Sequence, residues 1–225
     1  MTSIYQRVLG EDFLKLHPRI QQRFGFSSTD GIAAVGTGEM ERLWHGPWWT
    51  LPFLYLGAWR NILVPQQGRD VPFTIENYAY VDRFGRETVT WVRTFSLART
   101  HRFDATMIYS EGGSRIVDYL GTHQHLAVDI ELSVDERGGL KLRSGSQRFY
   151  AGLLGFPFPM LFSGVAEVNE WYDDQEQRFR ISVAVRNPVW GPLFGYDGWF
   201  QTAFTQCPVD AVPAHVRPLH EQRRE

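Results

Sequence analysis

Arg93 is the residue whose position most clearly calls for a chemical explanation. It shares an alternating face with Val89, Trp91, Phe95 and Leu97. If that face points into a core, the guanidinium needs a partner, because an unpaired buried charge is very costly. Asp118 lies between Ile116 and Leu120 on the apolar face of its own segment. It is the best candidate partner, ahead of Glu76 and Glu167. The plainer role for Arg93 and Asp118 is an ion pair that locks the fold. The functional role is a pair that faces a cavity and orients a ligand carboxylate or enolate. Tyr78 and Tyr80 would add hydroxyl contacts to that pocket.

Other chemistry is weakly supported. His123 and His125 stand two apart and could begin a zinc site, but they align with Ala127 and Asp129 on a polar face, so exposed histidines are the expectation and no metal is assigned. No HExxH or Cys cluster supports one. Gly36-x-Gly38 lacks the third glycine and the βαβ setting of a dinucleotide fingerprint. Neither Ser163-Gly164 nor Ser144-Gly145-Ser146 makes a nucleophile elbow. Asp12, Glu76, Asp118, Glu167 and Glu170 are scattered, with no spacing that makes a catalytic pair. No cofactor is implied.

The aromatic residues are the compositional anomaly, at 15% of the chain. Trp44, Trp48, Trp49, Phe53, Trp59, Trp91, Phe95, Phe156, Phe158 and Trp199 are the candidates for lining a site. Rings with NH and OH handles suit an apolar polycyclic or polyene ligand, although filling a core is the default use of such residues. Four of the eight tryptophans fall in Trp44–Leu63, WHGPWWTLPFLYLGAWRNIL. That stretch contains Pro52 and Arg60 and is too short to span a bilayer comfortably. Docking of Trp48, Trp49 and Phe53 on a membrane surface ranks low, for want of a basic flank.

The elements that would position these residues are mostly strands. With 21 Gly and 12 Pro, the composition favours strands and turns. Ser3 can cap a short helix over 3–9 that Gly10 ends, and Pro18 opens a second that Gly25 ends. Gly36–His45 reads as the first strand, with Gly36, Gly38, Met40, Arg42 and Trp44 on one face. Phe53, Leu56, Trp59 and Leu63 then form a helical stripe over about 51–64, closed by Pro65. From Val71 onward the period is two. Val71, Phe73, Ile75, Ala79 and Val81 alternate with Thr74, Glu76, Tyr78 and Tyr80, and the turn at 82–86 leads into Val89–Leu97. Further alternating segments run to about Phe204. The fold expected is mainly β: a single antiparallel barrel or strongly curved sheet of about nine to ten strands, a lipocalin-like calyx with short N-terminal helices and one apolar helix near 51–64. Such a sheet must close, or fold over, to hide its edges, and a two-sheet sandwich is the alternative. Residues 1–206 form one domain, and 207–225 read as a flexible tail.

Net charge is −2, so phosphate-driven nucleic-acid binding is not expected. One cysteine, Cys207, and no secretory leader suit a reducing, cytoplasmic setting. A homodimer is left open.

Several segments in order are similar to a bacterial family, domain of unknown function 4166: YQRVLGEDFLKLHPRI, RDVPFTIENY, WVRTF, RIVDYLG, LLGFPFPMLF and NPVWGPLFGYDGWF. The resemblance covers about residues 4–204. In that family the domain often follows saccharopine-dehydrogenase-like NAD(P)-binding domains or accompanies membrane segments. The resemblance therefore implies a third role, accessory partner of an NAD(P)-dependent dehydrogenase. Where this chain has Asp118 the family tends to carry Glu, and its middle segment is less aromatic than Trp44–Trp59.

Two functions are expected from the residues. The first is binding of a bulky hydrophobic small molecule in an aromatic-lined barrel cavity. The second is a metal-free cyclase or isomerase that folds a polyketide- or terpenoid-like substrate in the same cavity, through restriction and a few hydrogen bonds.

Overall fold

Alternating side chains build almost everything here. The computed structural model describes residues 2–225, and among these it contains eleven strands. They are β1 (Ile32–His45), β2 (Gly68–Val81), β3 (Glu87–Ser96), β4 (Thr100–Ser110), β5 (Arg115–Leu120), β6 (Leu126–Val134), β7 (Leu140–Ala151), β8 (Leu154–Pro157), β9 (Val165–Asp173), β10 (Arg178–Asn187) and β11 (Gly191–Gln206). All pairings are antiparallel. β1 to β7 join in chain order, β7 pairs with β9, and β9, β10 and β11 return to β1. The result is the expected barrel, closed by ten strands, with the short β8 folded onto β7. Closure gives each of the ten strands two neighbours, whereas an open sheet of this length would leave both end strands with an unpaired edge.

Two helices, α1 (Ile4–Leu9) and α2 (Pro18–Phe24), plug one end. Ser3 caps α1 in a reciprocal capping box with Gln6, and Pro18 sits at the start of α2. Both helices bury their apolar face: Ile4, Tyr5, Ile20 and Phe24 are all within the main core. Tyr5 and Phe24 meet edge-on at 5.0 Å, and Phe24 lies 5.7 Å from the ring of Trp91. A buried ion pair fixes the plug to the wall. Arg23 of α2 donates through Nε to Oε1 of Glu170 on β9, and both side chains are fully buried. The Arg23 guanidinium also lies 4.8 Å from the Phe200 ring. Glu170 is held above the usual carboxylate range by burial, which Arg23 partly offsets.

The β1, β2 and β11 side of the barrel is filled by Phe73, Phe95, Tyr196 and Phe200, whose rings lie 5.0–6.2 Å apart. Gly36 and Gly38 allow this. A Cβ on Gly36 would meet Ile75 Cγ2 and Phe200 Cδ2 at 2.7 Å, and one on Gly38 would meet the Trp199 carbonyl oxygen at 2.1 Å. These glycines serve close packing of strands.

Two local departures from simple alternation matter. In β1, Met40 and Glu41 together oppose Gly198, a bulge that turns Leu43 inward and Trp44 outward over Gly195. In β7, Gly145 and Ser146 together oppose Asp129, which brings both Ser144 and Gln147 to the interior. The apolar helix is also shorter than expected. α3 spans Leu51–Ala58 and ends because Asn61 adopts φ +57°. The N–H groups of Ile62 and Asn61 donate to the carbonyls of Gly57 and Ala58, a Schellman arrangement in which Asn replaces the usual Gly. No helix among the described residues is long and apolar enough to cross a membrane.

The sequence pointed to a flexible tail at 207–225. Here these residues run along the outer wall, with Cys207, Val212 and Val216 buried against Tyr78, Tyr80 and Val92. Glu225 joins Arg148 and Tyr150.

The Arg23–Glu170 pair gives a direct test. Removing one partner of a buried pair strands the other charge, so Arg23→Leu and Glu170→Leu are each expected to cost about 3–5 kcal/mol. The double variant should recover most of that loss. Urea unfolding of all four proteins measures the coupling, and additive losses would contradict it.

Candidate functional site

The side of the barrel away from Phe73 and Phe200 is not filled. A cavity of about 390 Å³ lies between β3–β7 and β9–β11, within the size range of small-molecule sites. Leu126, Val128 and Ile130 of β6, Leu142 of β7, Val168 of β9, and Val183 and Val185 of β10 form its walls. At its outer end, Phe53 and Leu56 of α3 lie across it, followed by Trp59, Arg60, Ile62 and Leu63. Trp91 separates it from the N-terminal plug, donating through Nε1 to the Tyr5 hydroxyl at 2.9 Å. The lining is overwhelmingly apolar, with a few polar groups at fixed places.

The first polar group is the pair expected from the sequence, now with defined geometry. Arg93 and Asp118 both line the cavity and are 3% and 5% exposed. They make no direct ion pair, which corrects the expected contact. Arg93 Nε donates to the Phe103 carbonyl at 3.2 Å, Nη1 reaches the Tyr196 hydroxyl at 3.4 Å, and the guanidinium stacks 3.8 Å from the Phe103 ring. Asp118 Oδ1 is buried with no hydrogen-bond partner. Burial pushes the Asp118 carboxyl up to about 7, against the opposing pull of the Arg93 charge. Glu76 and Glu167, the other proposed partners, lie on the outer face: Glu76 accepts from Tyr78 and meets His215, and Glu167 approaches Arg143.

A second polar group was not anticipated. Ser163 Oγ donates to Gln147 Oε1, and Gln147 Nε2 donates to the Gly164 carbonyl at 2.8 Å. Ser144 Oγ accepts from the Ala166 N–H at 2.7 Å. All of these residues line the cavity. Plain alternation along β7 would put Ser144 and Gln147 on opposite faces, so only the bulge reveals this set.

The remaining expected site residues divide by face. Phe53, Trp59, Trp91 and Phe158 line the cavity. Phe95 is fully buried on the filled side. Trp44 is turned outward by the β1 bulge, and Trp199 lies under the Arg178 guanidinium. Trp48, Trp49 and Phe156 are exposed at the open end. Tyr78 and Tyr80 do not contribute. The period of two that sends Phe73, Ile75 and Ala79 inward sends them outward, where Tyr78 donates to Glu76 and Tyr80 pairs with Thr90.

His123 and His125 sit in the turn between β5 and β6, at the cavity mouth, with rings stacked at 5.9 Å. His125 Nδ1 lies 2.7 Å from the Tyr150 carbonyl oxygen, and His123 Nδ1 lies 2.9 Å from Thr122 Oγ1. Desolvation, with Arg60 nearby, lowers the His123 pKa.

Asp118 carries a pH-dependent test. Its carboxyl stays protonated in the fold up to about pH 7, whereas in the unfolded chain it ionises near its ordinary value of 3.8. The fold therefore binds the extra proton, and stability is lost as pH rises between those two values. Asp118→Asn should gain stability relative to the parent across that window and keep the gain above it, as read by denaturant unfolding from acid to mildly alkaline pH. Parallel profiles would mean that Asp118 ionises in the fold near its ordinary value.

Comparison with known proteins adds the family. The model described as Domain of unknown function (DUF4166) matches residues 16–200. The chain is also similar to "Uncharacterized protein YndH" of Bacillus subtilis (strain 168), with 34% identity over 205 residues that cover 89% of this chain and 97% of the relative. The matched region runs from just before α2 to the middle of β11, and includes Arg93, Asp118 and every strand that walls the cavity. The chain belongs to the DUF4166 family.

Proposed function

We propose that the barrel binds a hydrophobic small molecule, with its apolar body against Val128, Leu142 and Val183 and its polar end at Arg93 and Asp118. The observation that carries this reading is the unfilled apolar cavity lined by two buried polar side chains, Arg93 and Asp118, the second with an unpartnered oxygen. Asp118 Oδ1 has no partner among the described residues, and an orphaned buried oxygen is costly unless something meets it. Arg93 gives a donor for a carboxylate or carbonyl oxygen. A protonated Asp118 gives a second donor, and an ionised one gives an acceptor.

Asp118 also favours a second reading. A carboxyl whose pKa lies near neutrality, placed in an apolar cavity beside a fixed cation, is suited to move a proton within a bound polyene or enone. In this version the site is a cofactor-independent isomerase or cyclase, and Asp118 is its general acid or base.

One experiment tests both. Parinaric acid, a polyene carboxylate, should gain fluorescence on binding. Ala166→Phe, which fills the cavity, and Arg93→Gln, which removes the charged donor, should each weaken binding by about tenfold. Mass spectrometry and chromatography of candidate linear precursors after incubation separate the readings. Unchanged compound supports binding alone, and a rearranged product absent with Asp118→Asn supports catalysis. Equal fluorescence of parent and Ala166→Phe would remove the cavity from the account.

A further inference from the structure

The two ends of the barrel differ sharply in chemistry. At the plugged end, the connections carry Asp82, Glu111, Asp135, Glu136, Asp174 and Glu176. At the other end, five connections join the strands: 46–67, 97–99, 121–125, 152–164 and 188–190. Among these described residues there is no Asp or Glu, although the chain has 25. The charges there are Arg60 and Arg99, with His123 and His125 beside them. Of the acids that follow these connections in the strands, Asp104 and Asp129 are each bound to arginines, Glu167 approaches Arg143, and Asp70 is exposed.

The same end carries the exposed apolar side chains. Trp48 and Trp59 are 76% and 75% exposed, Leu153 is 99%, Phe162 is 57% and Trp190 is 50%. They come from three separate connections that surround one cavity mouth, and Trp59 and Phe162 also line the cavity itself. α3 is apolar on every side, LPFLYLGA, yet only Leu54 is fully buried. A helix of that composition is normally enclosed by protein or lipid. The Arg60 guanidinium stacks 4.7 Å from the Trp59 ring, an arrangement that keeps a cation at the level of an interfacial tryptophan.

We infer that this end of the barrel docks on a lipid bilayer that bears anionic headgroups, with the tryptophan rim in the interface and the cavity mouth facing the acyl chains. Exposed apolar patches of this kind mark interaction surfaces. A membrane is the occupant chosen because the rim combines tryptophans with an acid-free, weakly cationic end, which complements an anionic surface. The linear sequence hides this. Only Arg60 flanks the tryptophans in the chain, and the cationic, acid-free character emerges when five connections converge. Docking rests on this surface alone, and passage of a ligand between bilayer and cavity rests on the binding function proposed above.

The test is flotation with vesicles of phosphatidylcholine, and of phosphatidylcholine with phosphatidylglycerol at about three to one. The protein should float with vesicles, more strongly with the anionic lipid, and its tryptophan emission should shift to the blue. Trp48→Ser with Trp59→Ser should lower the partition coefficient by about tenfold, while Phe84→Ser, at the opposite end, should leave it unchanged. Both variants change exposed side chains, and circular dichroism checks their folding. A parent protein that stays with the vesicle-free fraction, or a rim variant that floats equally well, overturns the inference. So does a dimer in sedimentation that the rim variant converts to monomer, which would assign the rim to a second copy of the chain. Parinaric acid binding in solution is read separately. If it persists without flotation, docking fails and the cavity function stands. If flotation persists without it, the reverse holds.

Discussion

The Arg23–Glu170 ion pair is the contact on which the internal layout depends. A closed barrel of ten strands has two open ends and an interior that must be filled, blocked or used. Here α1 and α2 block one end, and the pair anchors α2 to β9 through two fully buried side chains. The pair is not needed for burial as such, since apolar residues could fill the same volume at similar or lower cost. What it supplies is a fixed seat for the plug. Tyr5 and Phe24 are thereby held against Trp91, and Trp91 becomes the boundary between the packed plug and the cavity.

From that boundary the interior separates into two sides. On one, Gly36 and Gly38 let β1 and β11 close over Phe200 and Phe73, and the space is filled by rings. On the other, strands β3–β7 and β9–β11 stand away from each other, and branched aliphatic side chains leave room between them. Arg93 and Asp118 sit within this apolar space without meeting directly. The low dielectric that makes Asp118 hold its proton also strengthens any hydrogen bond a ligand makes there. One cause, burial, therefore accounts for both the raised pKa and the suitability of the site for recognising a polar group.

Much of this was legible in the amino-acid sequence where one period governs. Phe73 and Ile75, or Trp91 and Arg93, show their common face by spacing alone, and that spacing led to a barrel with a charged group inside. Tyr78 and Tyr80 obey the same rule and belong outside. The alternation that places Phe73 within keeps both tyrosines out of the pocket. The rest was hidden by local and long-range effects. The bulge at Met40–Glu41 reversed Trp44, and the one at Gly145–Ser146 brought Gln147 inward; neither breaks the run of residue types. Asn61 ended α3 by adopting a backbone conformation more usual for glycine. Arg23 and Glu170 pair across 147 positions, with nothing in either neighbourhood to announce the other, although the run Ala166, Val168, Glu170 does mark an acid on an apolar face.

The central claim is that the barrel is solid on the plug and β1–β2 sides and open between α3 and the Arg93–Asp118 floor. Diffraction from crystals under xenon pressure addresses it directly, because xenon enters apolar cavities and avoids packed cores. Xenon density bounded by Val128, Leu142, Val183 and Trp91, with none among Phe73, Phe95 and Phe200, is the expected result. Side chains filling that space, with no xenon between α3 and Arg93, would contradict the account.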